Sequence, residues 1–277
     1  MPESPEVQAL TEFLGERMRG RTIDSVDVLE YRAVKTRTRP PSTLVGSTVT
    51  AARRYGKHVD LEVGDAHLGV ALGRHGWMRV TEPGAEPIGD PDAAPALATI
   101  GLDDGTRLEI TDAGTWVSLG LTVTDRPTEV AAVAKLGADP ADAGFAAADL
   151  DAVLIGRRKQ LKAVLQEQES LAGIGNAYSD EILHAAKLSP IVHAAALDRN
   201  EREQLFVHTT GVVRDAIVAR RGIPIDLLKA AKVEAMRVHG RVGEACPVCA
   251  DTVRTFTFGS ATAEYCPTCQ TGGALLG

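Results

Sequence analysis

Hydrophobic residues recur at helical spacing near the start of the chain and at strand spacing over the next hundred positions. Within residues 5–19, Val7, Leu10, Leu14 and Met18 fall on one face of a helix. Residues 23–28, 59–63, 67–72 and 107–110 alternate apolar with polar positions or form short apolar runs bounded by Gly and Asp. Short strands at such regular intervals predict a β-sandwich or a β-barrel.

Two stretches without this periodicity separate the strands from a helical region. Residues 83–98 and about 125–145 are rich in Pro, Gly, Ala and Asp and are predicted to be loops, the second of them a linker. Helical spacing follows at residues 146–155, 161–168 and 178–187. Asp198 and Glu201 form a capping box, which opens a helix that ends near Gly222.

These patterns predict an α+β protein built from several parts. We expect an N-terminal β-sandwich domain that includes the first helix over residues 1–125, and a linker over residues 126–145. A helical domain over residues 146–240 and a small C-terminal module over residues 241–277 would follow.

Cysteine spacing defines the C-terminal module. The chain has only four cysteines, arranged as two Cys-x-x-Cys pairs: Cys246, Cys249, Cys266 and Cys269. Two such pairs flanking a predicted hairpin suit one tetrahedral Zn²⁺, with each sulfur about 2.3 Å from the metal. Two disulfides or a redox-active pair are the alternatives. Because about thirty residues cannot build a hydrophobic core, the metal would supply the folding energy of the module.

Composition and charge narrow the class of protein. The 277 residues carry a net charge of -7, and no apolar run approaches the ~18 residues that a membrane span needs. The first residues lack a basic region followed by an apolar stretch, so we expect a cytoplasmic protein, associated with the nucleoid when it is bound to DNA.

A net negative charge alone argues against nucleic-acid binding, but the charge is segregated. Residues 82–151 carry a net charge of -11 and the rest of the chain +4. Basic clusters at residues 32–39, 53–57, 157–162 and 220–221 would form an anion-binding surface if the fold brings them together. Otherwise they are solvated faces.

Three separated motifs occur in order along the chain. It begins Met-Pro-Glu-Ser-Pro-Glu-Val, residues 168–181 read Gln-Glu-Ser-Leu-Ala-Gly-Ile-Gly-Asn-Ala-Tyr-Ser-Asp-Glu, and the four-cysteine module closes on Cys269-Gln270. Together they resemble the formamidopyrimidine-DNA glycosylase / endonuclease VIII family along the whole chain. The resemblance implies an N-terminal β-sandwich, a helix–two-turns–helix domain and a zinc finger. It also implies a monomer with one structural zinc ion, whose partner is DNA containing damaged bases or abasic sites.

The resemblance assigns the chemistry to the first residues. Removal of Met1 would leave Pro2 as a secondary amine that attacks C1′ of the damaged nucleotide and expels the base. The Schiff base so formed would allow β,δ-elimination of the flanking phosphates, with Glu3 as general acid/base and Glu6 as a supporting carboxylate. Without the other motifs, Pro2 and Glu3 would be interpreted as an ordinary helix start, with proline at the first helical position and acidic residues in the first turn.

Phosphate contacts are assigned by the same resemblance. Lys57, between two strands, matches a family lysine that contacts phosphate and assists elimination; the alternative is a surface lysine. Asn176 closes a Gly-x-Gly-Asn turn whose backbone N–H groups suit a phosphate. The alternative is a helix N-cap, and both can hold at once. Lys162 matches a second family lysine that contacts phosphate.

Two loops depart from better-known members of the family, which fill the gap left by a flipped nucleotide with Met, Arg and Phe side chains. Arg74 stands at the Met position and Gly114 at the Arg position, while Trp116 stands where the Phe would be. We expect Arg74, with Trp116 or Trp77, to fill the gap. The alternative places both tryptophans in the core or at an interface.

The hairpin tip of the zinc module also departs from the family. Residues 259–263 contain no arginine, where family members commonly grip phosphate with one. Arg254 or Arg241 would have to take that role. The sequence thus predicts a bifunctional DNA glycosylase/AP lyase of base excision repair. A non-catalytic relative that binds damaged DNA is the first alternative, and a zinc-ribbon module for protein interaction is the second.

Overall fold

The computed structural model describes residues 1–84, 94–258 and 261–277 and contains two compact units. The first unit comprises residues 1–2, 6–135 and 222–227. The second comprises residues 3–5, 136–221 and 228–277. None of the helices in the described residues is both long and apolar enough to cross a membrane.

The first unit is a sandwich of two four-stranded antiparallel sheets. One sheet has the strand order β1-β6-β7-β5 and the other β2-β3-β4-β8. The helix α1 at Ser4–Met18 precedes them, and its four predicted apolar positions are buried. The strands span β1 Ile23–Val28, β2 Val49–Tyr55, β3 His58–Val63, β4 Ala66–Ala71, β5 Gly76–Thr81, β6 Ala96–Leu102, β7 Arg107–Asp112 and β8 Gly120–Thr124.

The alternating pattern that predicted the strands sorts their side chains between core and surface. In β3, Val59, Leu61 and Val63 are buried in the sandwich, and the register places Leu61 opposite Leu68 of β4. The helix α1 and the strands β1, β3, β4 and β7 confirm the predicted segments within about two residues.

Four strands were not predicted. Strand β2 carries Arg53 and Arg54 and lacks an apolar alternation, so its pairing with β3 decides its conformation rather than its own pattern. Strand β6 corrects the predicted loop at residues 83–98, because residues 96–98 pair with β7. Residues 85–93 of that loop lie outside the described part of the chain.

The second unit is mainly helical, with α3 at Ala147–Leu154, α4 at Leu161–Leu165, α5 at Asn176–Ala185 and α6 at Arg199–Arg220. The predicted capping box is present: Asp198 accepts from the backbone of Glu201, whose carboxylate accepts from the backbone of Asp198. Helix α4 is shorter than predicted, and α7 at Leu228–Ala235 was not predicted.

The predicted linker at residues 126–145 also contains regular structure. A 3₁₀ turn spans Pro127–Glu129, and the helix α2 spans Ala131–Ala134. Proline at the first position of the turn presets its backbone, and the alanines of α2 favour a helix, so a loop-like composition was misleading here.

The C-terminal module contains the predicted hairpin. Strand β9 at Arg254–Phe258 pairs antiparallel with β10 at Ala261–Tyr265, followed by the short helix α8 at Pro267–Thr271. Val238, Val253 and two of the cysteines form its small core. Residues 259–260 of the predicted tip lie outside the described residues.

Candidate active site

The carboxylate of Glu3 lies among four hydrogen-bond donors. Oε1 accepts from the backbone N–H of Ala177 at 3.0 Å and Oε2 from that of Tyr178 at 3.3 Å. The backbone N–H of Gly175 also donates to Oε2. Nζ of Lys232 donates to Oε1 at 3.0 Å. Only 1% of Glu3 is exposed, so these donors replace water around the carboxylate.

The backbone around Gly173 and Gly175 explains why the carboxylate binds there. The first N–H groups of a helix have no partner within the helix, and the positive end of its dipole favours an anion. Glu3 occupies that place at the start of α5, and the backbone N–H of Ser4 donates to the carbonyl of Gly173 at 3.0 Å. Of the N–H groups in the turn that we expected to bind a phosphate, that of Gly175 therefore holds the carboxylate, together with those of Ala177 and Tyr178 in the first turn of α5.

Asn176 is the first residue of α5, and the N-cap is Gly175, so the N-cap interpretation of Asn176 is wrong. The Asn176 side chain is half-buried, and its Oδ1 accepts from Nε2 of Gln166 at 3.0 Å. Nε2 of Gln166 also donates to Oγ of Ser179 at 3.1 Å. This arrangement fixes the orientation of the amide and leaves Nδ2 of Asn176 as a donor for an anion.

Lys232 is a site residue that sequence reasoning missed. It lies in α7, and its ammonium also stands 5.0 Å from the centre of the Tyr178 ring, a cation–π distance. Its surroundings in sequence, Lys-Ala-Ala-Lys-Val-Glu, carry no motif. Only the fold brings this lysine, more than two hundred residues along the chain, to Glu3.

Pro2 and Glu6 both belong to the first unit and are buried. Glu6 lies in the first turn of α1, where a carboxylate is favoured by the helix dipole, and 1% of it is exposed. Met1 is more than half exposed. A buried carboxylate one turn after Glu3 is compatible with the supporting role predicted for Glu6.

Lys57 lies in the turn between β2 and β3, as the sequence indicated. Gly56 gives the turn its left-handed conformation, with φ +55°. Nη1 of Arg54 donates to the carbonyl of Gly56 at 2.9 Å, and its Nε donates to Oε1 of Gln8 at 2.7 Å. These contacts fix the backbone that carries Lys57, whose side chain is half-buried.

The structure contradicts the assignment of Lys162 as a phosphate contact. The side chain is fully buried, forms an ion pair with Asp180 and donates to the carbonyl of Asn176 at 3.2 Å. Its neighbours in α4 are apolar core residues, which place it inside the helical unit. Burial lowers the pKa of Lys162, and the Asp180 carboxylate opposes that shift. An ammonium in this position supports the fold and cannot reach DNA.

The other charges of the basic cluster at residues 157–162 are also partly used within the unit. Glu167 forms ion pairs with Arg157 and with Lys159, the latter at 3.0 Å. Hydrogen bonding from Ser170 and the two cations lower the pKa of Glu167 to about 2. This cluster therefore offers less positive potential than its composition suggests.

Two loops of the first unit carry the residues predicted to fill the lesion gap. The side chain of Arg74 is exposed, and Trp116 is 80% exposed. Trp77 is 5% exposed, and its Nε1 donates to the carbonyl of Ile225 at 2.9 Å. The core interpretation is therefore right for Trp77 and wrong for Trp116, and Trp77 cannot insert into DNA.

The four cysteine sulfurs lie within 4.8 Å of one another. Sulfur–sulfur distances are 3.9 Å for Cys246–Cys269, 3.3 Å for Cys249–Cys266 and 3.5 Å for Cys249–Cys269, and all four thiols are free. A tetrahedron of sulfurs about 2.3 Å from a central zinc has edges of about 3.8 Å, so the cluster fits zinc and excludes the disulfide interpretation. Cys246 also contacts Nε2 of His184 at 3.2 Å.

The two arginines considered as substitutes for a tip arginine do not lie at the tip. Arg254 is exposed, but it is the first residue of β9 and pairs with Tyr265 at the base of the hairpin. Arg241 donates to the carbonyls of Val233 and Met236 at the end of α7, at 3.2 and 3.3 Å. Arg241 therefore caps a helix, and Arg254 is left as an exposed cation on the hairpin stem.

Three protein-family models match the chain in order. The formamidopyrimidine-DNA glycosylase N-terminal domain matches residues 1–116, the formamidopyrimidine-DNA glycosylase H2TH domain matches residues 136–225, and a zinc finger found in FPG and IleRS matches residues 243–272. The described fold contains the parts that these models imply.

Individual proteins agree with the family models. The chain is 33% identical to the formamidopyrimidine-DNA glycosylase of Salinispora arenicola, over 98% of this chain and 96% of that protein. It is 45% identical, over 46% of its length and 81% of the relative, to an uncharacterized formamidopyrimidine-DNA glycosylase-like protein of Mycobacterium tuberculosis. The Lactococcus lactis Fpg in complex with a FAPY-dG containing DNA has a similar structure, with a TM-score of 0.85, 25% identity and coverage of 97% and 100% of the two chains.

Proposed function

This chain belongs to the formamidopyrimidine-DNA glycosylase family, and on that premise we propose that it excises damaged bases and cleaves abasic sites through Pro2. DNA glycosylase activity in base-excision repair, on DNA as the partner, follows from the family. A zinc finger with one structural zinc ion on four cysteines belongs to the same assignment. The covalent step at Pro2 and the cleavage of the strand go beyond the family assignment, and they are what we propose for this chain.

The covalent step starts from a free prolyl nitrogen. With Met1 removed, Pro2 presents a secondary amine, whose lone pair attacks C1′ while the bond between C1′ and the base breaks. Ring opening then gives an iminium between Pro2 and C1′. The iminium acidifies the protons on C2′. Loss of one of them expels the 3′ phosphate, and a second elimination expels the 5′ phosphate. Hydrolysis of the iminium returns the amine.

The observation that carries the proposal is the Glu3 carboxylate, next in sequence to Pro2 and held by three backbone N–H groups and Lys232. Such a set of donors favours the ionised carboxylate. An ionised Glu3 can accept the proton that the prolyl nitrogen loses on bonding to C1′ and pass it to the ring oxygen of the sugar. Glu3 then acts first as the general base and next as the general acid.

The remaining candidate residues bind the substrate. Lys57 and Nδ2 of Asn176 are donors for phosphates beside the lesion. Arg74 and Trp116 are an exposed cation and an exposed indole, which suit hydrogen bonding and stacking against bases exposed by the flipped nucleotide. Arg254 adds a phosphate contact from the stem of the zinc-finger hairpin.

Borohydride trapping tests the covalent step. The protein is incubated with abasic-site DNA and borohydride, beside Pro2→Leu, whose bulky second residue disfavours removal of Met1, and Glu3→Gln. Glu16→Gln is the matched control, because Glu16 is an exposed carboxylate of the helix α1 that follows Glu3. We expect adducts with the parent protein and with Glu16→Gln, none with Pro2→Leu, and slow formation with Glu3→Gln.

A mass spectrum of each protein reports whether Met1 is present, and Met1 retained on a protein that still forms the adduct would refute the imine at Pro2.

The absence of an arginine from residues 261–263 and the base position of Arg254 favour a second candidate, a non-catalytic protein that binds damaged DNA. Tight binding of abasic-site DNA with no adduct under any condition would select this candidate.

A further inference from the structure

Asp112, the last residue of β7, organises the loop that carries Trp116. Its Oδ1 accepts from the backbone N–H of Gly114 at 2.8 Å. Its Oδ2 accepts from the backbone N–H of Ser118 at 2.8 Å, from the Ser118 hydroxyl at 2.9 Å and from the backbone N–H of Leu119 at 3.1 Å. Only 3% of Asp112 is exposed, so four donors converge on one buried carboxylate.

Ser118 connects this loop to the loop that carries Arg74. While its hydroxyl donates to Asp112, the same Oγ accepts from the backbone N–H of Arg74 at 3.0 Å and from that of His75 at 3.4 Å. Gly73 adopts φ +59°, and a Cβ atom there would lie 2.4 Å from the carbonyl oxygen of Ser118. The two loops are thus packed backbone to backbone, and a hydroxyl joins them.

We propose that Asp112 and Ser118 are positioning residues that hold Arg74 and Trp116 as one preformed unit for the gap in damaged duplex DNA. The inference rests on the proposed function for its substrate, and it adds a specificity: this unit serves duplex DNA and has no role on a single strand. A single strand has no opposite base to stack against when a nucleotide is displaced.

Preformation is the physical reason for the effect. An indole that is 80% exposed gains little from the hydrophobic core, so its position depends mainly on the backbone that carries it. Ordering a free loop on binding would cost conformational entropy for each residue fixed. Because the Asp112 and Ser118 contacts order the loop during folding, this entropy is already lost before DNA binds.

The test uses equilibrium binding, which does not depend on cleavage. The probe is an oligonucleotide with a tetrahydrofuran abasic analogue, either single-stranded or paired with its complement. Asp112→Asn replaces a carboxylate that accepts four hydrogen bonds with an amide that has one acceptor oxygen, and Ser118→Ala removes the link between the loops. Asp103→Asn is the matched control, an exposed carboxylate in the turn between β6 and β7.

We expect Asp112→Asn and Ser118→Ala to weaken duplex binding by about tenfold to a hundredfold, as expected for losing stacking on a base, with single-strand affinity within about twofold. Asp103→Asn should behave as the parent. The triple variant Asp112→Asn/Arg74→Ala/Trp116→Ala should lose no more than Arg74→Ala/Trp116→Ala, because Asp112 acts through these two side chains.

A triple variant that binds duplex more weakly than Arg74→Ala/Trp116→Ala would overturn the proposal, as would equal losses on both probes by a variant whose thermal midpoint matches the parent. A parent protein with no preference for the duplex would overturn it too. Failure of borohydride trapping with these binding results intact would refute only the covalent function, so the two failures are distinguishable.

Discussion

Nζ of Lys232 lies 3.0 Å from Oε1 of Glu3, and the side chains of both residues are largely buried. The other donors to this carboxylate described above are backbone N–H groups, which carry no net charge. Lys232 therefore places a formal positive charge directly against Glu3 within the second unit. It follows that the charge of a lysine in α7 is coupled to the ionisation of the candidate general base.

Lys232→Met should slow cleavage of abasic-site DNA, because Glu3 would lose its charged partner and bind a proton more readily. We expect a decrease of about 10- to 100-fold in the single-turnover rate, the equivalent of about 1.4–2.7 kcal/mol. Lys232→Arg keeps the charge and should retain most of the rate. An unchanged rate in Lys232→Met, with the fold intact by circular dichroism, would remove Lys232 from the site.

Breaking the Lys162–Asp180 pair should destabilise the protein without changing how DNA binding depends on salt. Lys162→Met leaves a buried carboxylate without its ammonium, and loss of one partner of a buried pair costs about 3–5 kcal/mol. Urea unfolding measures this cost. Because the charge is buried, the slope of log affinity against log salt should stay the same, whereas a lysine on phosphate would change it by about one.

Glu167 should stabilise the second unit in a pH-dependent way. Its pKa is lowered from 4.5 to about 2 by Ser170, Lys159 and Arg157, so its contribution is fully present above pH 4.5 and is lost as pH falls toward 2. Glu167→Gln should therefore be less stable than the parent by about 1–2 kcal/mol at pH 6, after solvent screening. The difference between the unfolding free energies of the two proteins should shrink as pH falls from 5 toward 2; a constant difference would exclude the linkage.

His184→Ala should weaken zinc binding. The Nε2 atom of His184 lies 3.2 Å from Sγ of Cys246, and burial lowers the pKa of His184, which favours the neutral ring with one N–H donor. Loss of such a contact to a metal ligand typically costs 10- to 100-fold in affinity. Competition with a chromogenic chelator measures it. His193→Ala, at an exposed histidine of the same unit, should bind zinc like the parent.

Local signals in the sequence predicted the elements that depend on local physics. Residues 23–28 form a strand as the alternation indicated, and the Asp198–Glu201 capping box opens α6. Strand β2 has no such signal, since its conformation follows from pairing with β3. The cysteine cluster was predictable because metal geometry fixes the spacing of its ligands.

Two lysines show where sequence reasoning ended. Lys162 was predicted to contact phosphate because it matches a family lysine and lies in a basic cluster. Packing of α4 nevertheless buries its side chain. Lys232 stood in an alanine-rich segment without a motif, yet the fold brings it to Glu3. In both cases tertiary packing decides where the charge lies, and the neighbouring residues in sequence do not reveal that packing.

The contrast between the two tryptophans gives this protein a built-in optical probe. Trp77 and Trp116 are its only indoles, and they are 5% and 80% exposed. Trp77, in an apolar setting, should emit at shorter wavelength and resist quenching by iodide, while the red-shifted, quenchable emission belongs to Trp116. Time-resolved fluorescence of the unlabelled protein can therefore follow the Trp116 loop as it meets each DNA, with Trp77 as an internal reference.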